Sequence, residues 1–203
     1  MGTFFKTELK LLKRLSTPAK IQDYLNSLKF NFEKNGETCY SPRQVMKYKT
    51  AHCLEGAIFA ATALRKIGHP PLLLHLKATK ADYDHVVAPF KIHNKWGAIS
   101  KTNHVVLRYR EPAYRDIREL TMSYFHEYFL DSGVKTLRSY TTPLNLKQFD
   151  RRNWMTTMDE VWYIDQALDR MKQIQIMPKG AIRNLRKADK VEIAAGKIVE
   201  WKK

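Results

Sequence analysis

Apolar positions recur at helical spacing at both ends of the chain and at strand spacing in the middle. Phe5, Leu9, Leu12 and Leu15 predict an amphipathic helix over residues 3–15 with a basic outer face. Thr17-Pro18 reads as an N-cap followed by proline at the first helical position, and Ile21, Tyr24, Leu25 and Leu28 carry a second helix. Residues 30–40 read as a loop. Ser41-Pro42 repeats the start signal for a short helix through Val45, Met46 and Tyr48. A longer helix opens at Cys53, with Ala57, Ala60, Ala61 and Leu64 on the same face, and stops at Gly68 before Pro70-Pro71. Leu72–Lys77, His85–Phe90 and Trp96–Ser100 then read as strands, with His93-Asn94 as the turn between the last two.

Val105–Tyr109 is a fourth strand candidate. After Pro112, Ile117, Leu120, Tyr124, Phe125, Tyr128 and Phe129 predict a helix that ends near Gly133. Thr157 and Glu160 match a capping box ahead of Val161, Ile164 and Leu168. Residues 178–190 read as a short basic helix, and Val191–Ala194 with Lys197–Trp201 as a closing hairpin around Ala195-Gly196. With no internal repeat and no low-complexity linker, one α+β domain over residues 1–203 is expected.

Composition changes this picture little. At 44% hydrophobic and 28% charged, the 203 residues suit one globular core with helical extensions. No apolar run reaches the roughly eighteen residues that span a bilayer, and the N-terminus lacks a signal-peptide apolar region, so no membrane role and a cytoplasmic location are expected. The formal charge of +16 would draw polyanions, but 36 Lys and Arg are interspersed with 20 Asp and Glu. Nucleic acid is therefore not expected as the main partner. The segment Leu107–Arg115, rich in arginine and tyrosine, reads as a strand-to-helix junction rather than a nucleic-acid clamp. No metal-binding spacing and no glycine-rich phosphate loop occurs, so no cofactor is expected.

The chemistry concentrates at Cys53. A cysteine opening a helix lies where the free N–H groups and the helix dipole favour thiolate, the nucleophilic form. His85 opens a strand about thirty residues later. His52, as a helix-start neighbour, is expected to point elsewhere, and Cys39, with no helix start to activate it, to be incidental.

The stretch from Ser41 to Thr102 resembles the transglutaminase-like superfamily, a papain-type group of cysteine enzymes. The similarity lies in Ser41-Pro42-Arg43-Gln44-Val45, in Cys53 and Ala57 opening the next helix, and in the helix end Ala63–Pro70. It continues in Asp84-His85-Val86-Val87 and in Asn94-Lys95-Trp96. It implies an α+β core over about 41–110, with a Cys-bearing helix packed on a small antiparallel sheet and further helices from both termini. It also implies Cys53 as nucleophile and His85 as its base, with a third residue fixing the ring. The family places an Asp where this chain has Ser100. Strand parity puts Ser100 on the His85 face, whereas Asn103 reaches it only through a bulge. Both are carried as candidates. The expected activity is a cysteine-dependent hydrolase or acyl transferase acting through a thioester on an amide or ester. The alternative is a non-catalytic binding module of the same fold, using its basic surface for an acidic protein or nucleic acid.

Overall fold

The computed structural model describes residues 2–202. In chain order it forms α1 (Lys6–Arg14), α2 (Pro18–Ser27), β1 (Lys29–Phe30), α3 (Pro42–Tyr48), β2 (Thr50–Ala51), α4 (Cys53–Lys66), β3 (Leu72–Lys77), β4 (His85–Ile92) and β5 (Lys95–Ile99). These are followed by β6 (Arg110–Tyr114), α5 (Ile117–Phe125), β7 (Ser139–Tyr140), β8 (Leu144–Asn145), a 3-10 helix over Leu146–Arg152, and α6 (Trp162–Asp169). The chain closes with β9 (Ile174–Gln175), α7 (Lys179–Ile182) and α8 (Lys190–Gly196). The class is α+β.

The main sheet runs β6-β5-β4-β3-β7-β9, with β8 also paired to β3, and every pairing in it is antiparallel. His93 and Asn94 make the two-residue turn between β4 and β5, both with positive φ, as the twist of such a hairpin requires. That turn sets the register from Ile92 opposite Lys95 to Ala88 opposite Ile99.

Both faces of the sheet are covered. Leu73, Val86, Ala88, Phe90 and Ile99 join the cluster formed with α1–α4 and α6, while Leu74, Leu76, Val87 and Ala98 join Leu120, Tyr124 and Phe125 of α5. The first six residues of β4 are consequently all buried. Helix α4 is buried from Leu54 to Leu64, as expected of a helix that is apolar almost all round. Two bidentate arginine forks fix its neighbours: Arg43 of α3 binds Glu8 of α1 at 2.8 and 2.9 Å, and Arg65 of α4 binds Asp150 at 2.6 and 2.8 Å.

Several local expectations are corrected. Residues 105–109 are not a strand: Leu107 takes a left-handed conformation (φ 61°), and the edge strand is Arg110–Tyr114 instead. Pro112 is tolerated there because an edge strand leaves one row of N–H groups unused. Residues 191–194 belong to α8, which Asp189 caps, so no C-terminal hairpin forms. Thr157 and Glu160 do not form a capping box; the Thr157 hydroxyl accepts from the Asp159 N–H, and α6 begins at Trp162 without a side-chain cap. Helix α5 ends at Phe125 rather than continuing to Gly133.

At Gly56, in the first turn of α4, an added Cβ would fall 2.4 Å from Cβ of Lys101. Gly56→Ala should therefore destabilise the fold by about 1–3 kcal/mol. Chemical denaturation checks this, and an unchanged midpoint would show that Lys101 moves aside freely.

Candidate active site

Cys53 is the first residue of α4 and His85 the first of β4, and the packing of that helix along that strand brings their starts together. Both line a cleft of about 1000 Å³. Cys53 is half-buried and His85 is 5% exposed, so the imidazole is the more closely held of the two. Burial pushes the Cys53 thiol up, but hydrogen bonding from His52 and His85, together with their charges, brings its pKa down to about 5.

Ser100 follows β5 and meets the ring. His85 Nε2 lies 2.8 Å from Ser100 Oγ, and Oγ lies 2.6 Å from the Leu107 carbonyl oxygen. A hydroxyl has one hydrogen. Since only the hydroxyl can donate to the carbonyl, Nε2–H donates to Oγ, which leaves Nδ1 as the His85 nitrogen available to Cys53. Ser100 is held in turn by Gln22 of α2, whose amide accepts from the Ser100 N–H at 2.9 Å and donates to its carbonyl at 2.7 Å. The left-handed Leu107 is pinned by Glu127, which accepts from its N–H and pairs with Arg110 at 2.6 Å. This non-glycine φ is a strained conformation that the surrounding bonds hold in place.

Asn103 is not the orienting group. Its amide donates to the Trp201 carbonyl at 3.0 Å and accepts from the Trp201 N–H at 2.9 Å, so it ties the C-terminal segment to the cleft wall. The sequence separation of 98 residues explains why no local pattern announces this.

His52 does not point elsewhere. It caps α4, its Nδ1 accepting from the Leu54 N–H at 3.3 Å, and its ring lines the cleft beside Cys53. Burial pulls its pKa down, but Cys53, Glu55 and the Thr38 carbonyl outweigh that and raise it to about 10. The sequence carries a partial signal for this arrangement: a glutamate at the third helical position, Glu55, accepts from the His52 N–H at 2.9 Å as in a capping box.

Lys101 also lines the cleft, yet its ammonium turns inward to the Leu25 and Leu28 carbonyls at the end of α2, at 2.9 and 2.6 Å. Burial lowers its pKa to about 8, with Arg108 adding to the shift and Glu200 opposing it. Carboxylates supply much of the remaining charge of the lining: Glu33, Asp82, Asp84, Glu127 and Asp131. Asp84 is clamped by His75 at 2.9 Å and by the Ala78 N–H at 2.8 Å. Among the described residues no group of three His, Cys, Asp or Glu side chains is placed to hold a metal ion, and no helix is long and apolar enough to cross a membrane.

No family model matches the chain, and no curated protein matches it.

Cys39 is fully buried in the loop before α3, and burial, with Asp165, Glu55 and Glu160, pushes its thiol up. Iodoacetamide at neutral pH should thus label Cys53 at least about tenfold faster than Cys39 in the folded protein, read by peptide mass spectrometry. Comparable rates at the two cysteines would contradict the activated site.

Proposed function

We propose that the chain is a cysteine-dependent acyl transferase or hydrolase with a transglutaminase-like core. The single observation that carries this reading is a cysteine at a helix start, flanked by imidazoles, in the wall of a large cleft. Sγ attacks the carbonyl carbon of an amide or ester and forms a carbon–sulfur bond. The tetrahedral species collapses with cleavage of the carbon–nitrogen or carbon–oxygen bond. The thiol proton, parked on an imidazole, goes to the leaving amine or alcohol. Water or an amine then attacks the thioester, one proton passes to imidazole, and the thiolate leaves.

His85 supports this through geometry: Ser100 fixes Nε2 as the donor, so Nδ1 is the atom free to exchange protons in the cleft. Ser100 takes the position at which the resembling family carries an Asp and supplies orientation without charge. The start of α4 offers backbone donors for the oxyanion. Leu54 N–H is engaged by His52 and Gly56 N–H by the His52 carbonyl, which leaves the Cys53 N–H as the donor nearest the sulfur.

The binding-module alternative draws on the +16 charge. The carboxylates in the cleft disfavour a polyanion there and favour a neutral or cationic amide or ester. Retention on immobilised RNA or DNA should vanish near physiological salt. Sub-micromolar binding that survives about 150 mM salt and the Cys53→Ser change would favour the module.

A small activated ester such as p-nitrophenyl acetate tests the enzyme reading. Intact mass and peptide mapping should show an acyl adduct on Cys53 that hydroxylamine removes. Cys53→Ala should abolish it, and His85→Ala should slow its turnover by about 10²–10⁴-fold. Acylation of lysines alone, equal in wild type and Cys53→Ala, would contradict the proposal.

A further inference from the structure

His52 sits in more acidic surroundings than His85. Its Nε2 lies 3.0 Å from the Thr38 carbonyl oxygen, 3.5 Å from Glu55 Oε1 and 3.7 Å from Glu33 Oε1. All three neighbours are acceptors, so Nε2 carries a hydrogen. Glu55 is fully buried and accepts from the side chains of Asn31 and Thr38 and from the N–H groups of Tyr40 and His52. Among the described residues no lysine or arginine reaches it, and His52 is its one ion-pair partner. A buried carboxylate without a cation is costly, so the site itself favours a positive charge on His52. His85 has no such partner: Ser100 gives its ring direction, but a hydroxyl does not balance charge.

Resting on the reading of Cys53 as a nucleophile, we propose that His52, with Glu55 and Glu33 as counter-ions, is the imidazolium of the resting thiolate pair and gives the leaving group that proton, and that His85, through Nδ1, accepts the proton of the attacking water or amine. The step is a single proton transfer: the Sγ–H bond breaks and an Nδ1–H bond forms on His52. Nδ1 then stops accepting from the Leu54 N–H, whose 3.3 Å contact is long. That N–H is released at the start of α4, where an anion is favoured. The negative charge missing at position 100 is thereby supplied from the other side of the sulfur.

The groups facing His52 come from three elements besides its own. They are Glu33 and the Thr38 carbonyl from the 31–40 loop, Cys53 and Glu55 from α4, and Asp165 from α6, which acts through space. Every charged member of this set is an acid, and each favours the imidazolium. The raised His52 pKa and the lowered Cys53 pKa agree with this geometry.

The test is the pH profile of Cys53 alkylation in wild type, His52→Asn and His85→Gln, because asparagine keeps a good helix cap. His52→Asn should move the midpoint upward by more than one pH unit toward about 8.5 and lower the rate at pH 6 at least about tenfold. His85→Gln should move it less. Glu33→Gln, on a loop, should raise it slightly without loss of the fold. Nuclear magnetic resonance of the imidazoles adds a readout that a purely structural cap would not move: Cys53→Ser should lower the His52 pKa by more than one unit. An unmoved midpoint in His52→Asn together with a large shift in His85→Gln overturns the assignment while leaving the acyl-transfer reading intact. An ordinary thiol midpoint in the wild type overturns both.

Discussion

Where α4 crosses the end of β5, the helix backbone at Gly56 rests on the side-chain stem of Lys101, with room for a hydrogen atom and nothing larger. This close approach limits how near the start of α4, which carries Cys53, can lie to the chain that follows β5. It also explains why a lysine lies 1% exposed in the interior. The stem fills the space beside Gly56, and the ammonium closes the end of α2 through two carbonyls. Ser100, one residue earlier, is locked by Gln22 of the same α2 helix. Gly56, Lys101 and Ser100 thus tie α4, α2 and the end of β5 together beside Cys53 and His85.

Charge is distributed unevenly around this frame. The chain as a whole is strongly basic, yet the cleft gathers carboxylates, and its lysine is turned away. A thiolate in such a setting gains nothing from surrounding lysines and depends on the helix start and on histidine. The buried Glu55 favours the charged form of His52 while staying out of contact with solvent. The division of labour is spatial: acids stand behind His52, and neutral hydrogen-bonding groups stand behind His85.

Local chemistry made part of this legible before any coordinates. Thr17-Pro18 and Ser41-Pro42 cap α2 and α3, and Gly68 takes the positive φ that ends the turn after α4. The His93-Asn94 turn fixed the parity that put Ser100, and not Asn103, on the His85 face. The two-residue strands were too short to show periodicity, and Val191 and Ile193 imitated strand alternation in what Asp189 caps as a helix. His52 escaped because histidine is not among the usual capping residues, although Glu55 three positions on was the clue. The pairing of Asn103 with Trp201 bridges distant parts of the chain and leaves no local trace.

The central claim is that Cys53 rests as a thiolate beside imidazole in the folded protein. Thiolate absorbance in the ultraviolet, measured against pH as the difference between wild type and Cys53→Ser, reads that state without any substrate or labelling reagent. Thiolate population rises with pH through the thiol pKa, so the signal should appear with a midpoint near 5 and be complete at neutrality. A midpoint near about 8.5, the value of an unperturbed cysteine, would contradict the account.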